Sequence, residues 1–469
     1  MTNSQQAWRP DLVYTGGAFR QNHTVVCDAA GMIAGPTSAV VSENTALLPN
    51  RALLPGLVNA HSHAFQRVIR GRTEYRTGSN KDSFWTWREM MYSAAARLSP
   101  EDLYDASRMA FLEMALSGIT TVGEFHYLHN QANGAPYDDP NLLAKQVVSA
   151  ARDVGLRIAL LRVAYARSGH QTEPNPQQAR FLEEDPDVYL TNISKLQSDL
   201  AGMAGVAWVG VAPHSVRAVS LDYLKQVINF ANKQGLPVHM HVAEQPAEVS
   251  ACIEEHGRSP IALIETEGLL SDRFTGVHVI HITPKAAHMM ATARAMVCAC
   301  PTTERNLGDG IVPAEMYFRE NIRVSLGTDS QTQIDLLEDA RQLEYNLRLQ
   351  KMERVVLAPE TSAAATGRTS ALAARLFDCA TINGGQSLIS PVGKLEAGSP
   401  ADFFTVDLDD PSIAGSSPDV LLSSIVFSLS RTAIKDVVVG GKWIVTNGRH
   451  AAQEEIVERF KSLQRKLWN

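Results

Sequence analysis

The side chains best suited to chemistry in this sequence stand where short apolar runs give way to loops. His61-Ser62-His63 follows the run LLPGLVNA. On an extended strand residues two apart face the same side, so both imidazoles can aim at one point. HMHVAEQ supplies His239, His241 and Glu244. His241 ends its run, where a third nitrogen ligand would be needed. Glu244, three residues on, can reach a molecule held beside a metal. His239 shares a face with His241 but sits deeper, and reads as a hydrogen-bonded interior histidine. LGTDSQ presents Asp329. An aspartate there could cap the next helix. With three histidines already placed, it completes a set of three nitrogens and one oxygen, suited to zinc with one position left for water. GVHVIHITP offers His278 on its run and His281 just beyond it. Either could hydrogen-bond a water on the metal, and His278 is preferred.

These residues need a scaffold that brings distant loops together. Between about Pro55 and Pro391, apolar runs alternate with amphipathic stretches. The runs are GLVNA, GITTVGEF, LRIALLRVAYA, VAWVGVAP, LPVHMHVAE, GVHVIHI, AMVCACP and IRVSLGTDS, eight in number. Helix-like segments between them include PEDLYDASRMAFLEMALS, SLDYLKQVINFANKQ and DLLEDARQLEYNLRLQK. Alternating strand and helix implies a parallel sheet, and eight units imply closure into a (β/α)8, TIM-like barrel. In such a barrel the chemistry lies at the C-terminal strand ends. The histidines, Glu124 to Tyr127, His214 and Asp329 all fall there.

The two ends of the chain read differently. DLVYTGGAF, TVVCDAAGMI and NTALLPN at the start, and GSPADFFTVDLD and IKDVVVGGKWIVTNGRH near the end, are β-rich, with Gly440-Gly441 marking a hairpin turn. They are expected to form one small β-sandwich domain, residues 1–54 with 392–469, beside a barrel of residues 55–391. The chain has 469 residues, 45% hydrophobic and 20% charged, with a net charge of -7 and no basic stripe. Nucleic acid is therefore not an expected partner. No run approaches the roughly 18 apolar residues of a membrane span. The opening MTNSQQAWRPDLVYTGG lacks a signal-peptide core, so a cytoplasmic location is expected. The five cysteines are scattered and odd in number, as in a reducing compartment. Cys298 and Cys300 read as small buried strand residues.

Taken together, PGLVNAHSHAFQR, HVAEQ, GVHVIH, CPTTERNLGDG and GTDS resemble the amidohydrolase superfamily, in its mononuclear deaminase branch. DSFWTWREMMY, GEFHYLH and APHSVRAV resemble the formimidoylglutamate deiminases within it, over nearly the whole chain. The resemblance implies hydrolysis of N-formimino-L-glutamate to N-formyl-L-glutamate and ammonia, in histidine degradation. It implies one zinc, or another divalent ion, per subunit on His61, His63, His241 and Asp329, and a homodimer. Glu244 and His278 match the acid/base pair, with Asp329 and His278 taking the proton of the attacking water. Gln66 matches a contact to the formimino end. Arg88, Tyr127 and Arg217 match groups that hold the glutamate carboxylates, joined by His214. The third and fourth runs offer no lysine for carbamylation, in keeping with one metal. Arg305 brings a charge into the TERNLGDG loop, and Ile280-His281-Ile282 makes the sixth strand end unusually apolar. Phe84, Trp85 and Trp87 read as wall or core residues stiffening a loop that carries Arg88. The rivals are a deaminase of guanine, an adenosine derivative or a triazine, and a metal-free scaffold.

Overall fold

A computed structural model describes residues 6–37, 45–78, 82–360 and 370–469. Asn44, which opens the run NTALLPN, lies outside them. Each of the eight central runs is a strand: Leu57–Ser62, Ile119–His126, Arg157–Ala164, Ala207–Pro213, Val238–Val242, Phe274–His278, Met296–Ala299 and Val324–Leu326. They pair in parallel and in sequence order. Apolar residues fill both faces of these strands, as burial between a helical shell and a packed interior requires.

The barrel closes at the seam between its first and eighth strands. A parallel bridge joins Ser62 to Asp329. The Asp329 N–H donates to the His61 carbonyl and the His63 N–H donates to the Asp329 carbonyl, both at 3.0 Å. Deeper in the seam the Asn59 amide donates to Thr328 Oγ1 at 2.8 Å, and its oxygen accepts from the Thr328 N–H at 3.0 Å. Gly327 permits this approach, since a Cβ there would lie 2.7 Å from the His61 Cβ. The seam thus carries three of the expected metal ligands on one backbone junction.

The two chain ends meet in a single nine-stranded mixed sheet. Its centre pairs Gln6–Thr15 in parallel with Thr45–Pro55, and Phe403–Asp407 adds antiparallel to Thr45–Pro55. Gly440 and Gly441, both at positive φ, turn Ile434–Val439 into Lys442–Thr446. The sheet has its own apolar cluster, including Trp8, Val25, Leu53 and Phe403. The β structure expected at the C-terminal end stops at His450. A helix follows, Gln453–Trp468, and buries Ile456, Phe460, Leu463 and Leu467 at helical spacing. It is tied to the barrel helix Pro100–Leu116 and its neighbour by the Arg108–Glu455 and Lys466–Asp102 ion pairs and a bond from Arg97 to the Leu467 carbonyl. No helix among the described residues is long and apolar enough to cross a membrane.

Candidate metal centre and active site

His61 Nε2 lies 3.2 Å from His63 Nε2 and 3.2 Å from His241 Nε2. Asp329 Oδ1 lies 3.3 Å from His61 Nε2 and 3.1 Å from His63 Nε2. The ligand atoms of all four residues fall within 4.8 Å of one another. Three imidazole nitrogens converging on one carboxylate oxygen cannot all be satisfied by one another, because a pair of facing ring nitrogens shares at most one proton. A tetrahedral ion with metal–nitrogen distances near 2.0–2.1 Å separates its ligands by about 3.3 Å. The donor set therefore fits a divalent ion. The outer ring nitrogens are arranged to match. His63 Nδ1 bonds to the Phe125 carbonyl at 2.9 Å and His241 Nδ1 to the His214 carbonyl at 3.2 Å, so each Nε2 presents a lone pair to the centre. Burial holds His61 down at about 3 and keeps His241 well below the usual range, which maintains neutral rings.

Behind the ligands, the Glu124 carboxylate accepts from Ser62 Oγ at 2.5 Å and from the Ala64 N–H at 2.7 Å, bracing the segment that carries both first-strand histidines. Gln331 donates to Ser62 Oγ at 2.8 Å. The helix-cap alternative for Asp329 is taken by another residue: the Asp335 side chain accepts from Leu337 and Glu338 at the start of Leu336–Lys351. Asp329 itself stands at φ +45°, past the strand end. Ala243 and His278 also occupy the left-handed region, at +51° and +66°. Such residues persist where the surroundings over-determine them, and they cluster at functional sites.

A cleft opens over this centre. Every site residue expected from the sequence lines it except His61, which lies beneath with no exposed surface. Glu244 Oε1 and Asp329 Oδ2 stand 3.8 and 3.7 Å from His278 Nε2. Gln66 donates to the Tyr127 hydroxyl at 2.8 Å, and its own oxygen is buried with no partner among the described residues. The same holds for Arg88 Nε and Nη1 and for Arg217 Nη1. His214 is kept neutral by burial and the nearby Arg217.

Several sequence expectations change in detail. Arg88 sits not on a loop but on the helix Phe84–Arg97, its guanidinium 4.5 Å over the Trp85 ring. Phe84 and Trp87 line the cleft. His281 turns away and bonds to the Asp309 carbonyl at 2.9 Å, leaving His278 as the sixth-strand histidine of the site. His239 Nε2 bonds to the Ser387 carbonyl at 2.9 Å, outside the ligand cluster. Arg305 faces outward to Gln333 and Glu338. Cys298 and Cys300 are buried and unpaired. Sequence reasoning missed Glu304, Glu248 and the aromatic wall of Tyr92, Tyr165 and Phe181. Tyr165 does follow the third strand directly, but an aromatic there reads as part of the apolar run LRIALLRVAYA, while Glu304, Glu248, Tyr92 and Phe181 lie on helices or in a loop, without the strand-end register that exposed the histidines.

The sequence model of the amidohydrolase family matches residues 52–444. Formimidoylglutamate deiminase of Pseudomonas aeruginosa is 37% identical over 409 residues, 87% of this chain and 88% of its own. A 5-methylthioadenosine/S-adenosylhomocysteine deaminase of Caldanaerobacter subterraneus is 25% identical over 84% of this chain and 82% of its own. Among solved structures, an amidohydrolase from Brucella melitensis superposes with a TM-score of 0.91 at 32% identity, covering 99% of this chain and 100% of that one. An adenosine deaminase from Xanthomonas campestris, with bound zinc, gives 0.81 at 22% identity over 98% of each chain and shares the fold. With the barrel, the ligand cluster and these likenesses in agreement, the chain belongs to the amidohydrolase family.

Proposed function

We propose that this chain hydrolyses N-formimino-L-glutamate to N-formyl-L-glutamate and ammonia, with one zinc-like ion held by His61, His63, His241 and Asp329. The observation that carries the substrate is the pair of guanidinium groups with unpartnered N–H donors in the cleft wall, on Arg88 and Arg217. A buried donor without a partner costs free energy unless something completes it. Two such cations facing one cleft suit a substrate with two carboxylates, each held through a guanidinium fork. A purine would call for stacking and edge contacts instead. The 37% identity to formimidoylglutamate deiminase points the same way.

When bound, the ion would lower the pKa of a coordinated water towards about 7, supplying a nucleophile at neutral pH. The protein's groups do the rest. Gln66 orients the formimino end, its free oxygen accepting an N–H of the substrate, and Tyr127 joins Arg88 and Arg217 in holding the glutamate carboxylates. Asp329 and His278 take up and hold the proton of the attacking water. Glu244, ionised at the outset, accepts the proton of the added hydroxyl and passes it to the departing nitrogen, which leaves as ammonia.

The test of the substrate is a comparison of kcat/KM for N-formimino-L-glutamate and for a formamidine lacking carboxylates, with guanine and S-adenosylhomocysteine alongside. Each charged contact to a carboxylate contributes about 1.5–3 kcal/mol, or roughly 10- to 150-fold. Arg88→Met and Arg217→Met are expected to lose that much on the first compound and far less on the second. Equal losses on both would make the arginines structural, and turnover of a purine instead would overturn the assignment. Elemental analysis of purified protein should find about one ion per chain; two tightly held equivalents would refute the mononuclear site.

A further inference from the structure

His278 ends its strand in a costly conformation. It and Val279 stand at φ +66° and +51°, two successive non-glycine residues in the left-handed region. Val279 is β-branched, for which this region is especially unfavourable. The turn is held from three sides. The Val279 N–H donates to the carbonyls of Val242 and Val277, each at 3.0 Å, and the Tyr317 hydroxyl donates to the Val279 carbonyl. The result is an imidazole whose Nε2 faces Glu244 and Asp329.

What lies behind that ring is Glu304, on the short helix Pro301–Leu307 that follows the seventh strand. Its carboxyl is 2% exposed. Glu304 Oε1 accepts from the Cys300 N–H at 2.8 Å and lies 3.2 Å from His278 Nδ1. An ionised carboxyl oxygen can only accept, so with Glu304 ionised Oε1 takes both the backbone proton and one from the imidazole, and the proton of the second bond belongs to the ring. A histidine so held keeps its proton on Nδ1 and offers Nε2 to the reaction.

We propose that Glu304 is a positioning residue for the reaction: it fixes the ring orientation and tautomer of His278 so that Nε2 always faces the cleft. The role in turnover rests on the deiminase reading above; the bond itself does not. Without the carboxyl, the ring gains a second tautomer and loses its anchor, and the strained turn alone must hold it.

The test compares Glu304→Gln with Glu304→Leu in the metal-loaded protein. Glutamine keeps an oxygen able to accept from both N–H groups; leucine keeps none. Glu304→Leu should lower kcat on N-formimino-L-glutamate by about 10- to 100-fold, with KM and metal content little changed. Glu304→Gln should recover most of that loss. Nitrogen-15 spectra of histidine-labelled wild-type protein, with His278→Gln for assignment, should show a protonated Nδ1 on His278. That readout stands even if the leucine variant fails to fold. A leucine variant with wild-type kcat, equal losses in both variants, or an unprotonated Nδ1 in the wild type would each overturn the proposal. A chain inactive on N-formimino-L-glutamate would instead sink the functional reading and leave the nitrogen spectrum to decide the Glu304 bond.

Discussion

Glu244→Gln is expected to keep its metal and to lose about 10²-fold or more in kcat. Glu244 follows the fifth strand after Ala243, whose positive φ turns the chain back over the centre. Its N–H donates to Glu248 Oε2 at 3.1 Å, which holds the backbone of the turn independently of the side chain. The carboxyl is outside the ligand cluster but 3.8 Å from His278 Nε2. Glutamine preserves shape and polarity while removing the ability to exchange a proton, so binding and metal should survive and the proton transfer should not. The pH profile adds a second check. Burial pushes this carboxyl up to about 7, against the opposing pull of His278. The ionised form accepts the proton, so activity should fall as pH drops through this pKa. A divalent ion beside it favours the ionised form, which places the acidic limb of kcat below about 7 in the loaded enzyme. The limb should vanish in Glu244→Gln. Elemental analysis and kcat between about pH 5 and pH 9 measure both effects. Loss of the ion along with activity would move Glu244 into the coordination sphere and refute its assigned role.

The features that were legible in the sequence share a physical origin. Strands buried on both faces read as unbroken apolar runs, and a polar residue at the end of such a run must have somewhere polar to go. That logic located His61, His63, His241, His278 and Asp329 without any knowledge of contacts. It separated His278 from His281 only by preference, because the turn at His278 and Val279 that sends one ring inward depends on left-handed backbone no apolar pattern encodes. Glu304 escaped for the same kind of reason. It lies one turn into a helix, where an acidic residue ordinarily faces solvent, and only the packing of the seventh-strand loop against the sixth buries it. Arg88 reads from the sequence as a loop residue behind three aromatics, but the Ser83 cap, whose hydroxyl accepts from the Trp85 N–H, starts a helix there. The terminal helix Gln453–Trp468 was overshadowed by the β-rich run before it, although its buried positions follow a helical period.

Asp329→Asn should have the largest effect of any single change, removing the ion and lowering kcat by about 10³-fold or more. The backbone of Asp329 and its side chain have separate tasks. The backbone bonds to His61 and His63 close the barrel seam and are untouched by the substitution. The side chain supplies the only anionic oxygen among the four ligand atoms. Asparagine keeps the size but not the charge, leaving a divalent ion three neutral nitrogens and a weak amide donor. Thermal stability separates loss of metal from loss of fold. An ion at about 1,000 times its Kd stabilises the folded chain by about 4 kcal/mol. The wild-type Tm should therefore fall when the ion is stripped with a chelator and return when zinc is restored. The Asp329→Asn chain should melt near the stripped wild type and respond to neither treatment. If it instead kept its ion and the chelator response, the carboxylate would not be a ligand, and the convergence of three histidines on Asp329 Oδ1 would need a purely structural explanation. If its Tm fell far below that of the stripped wild type, the side chain would be holding the seam as well as the ion.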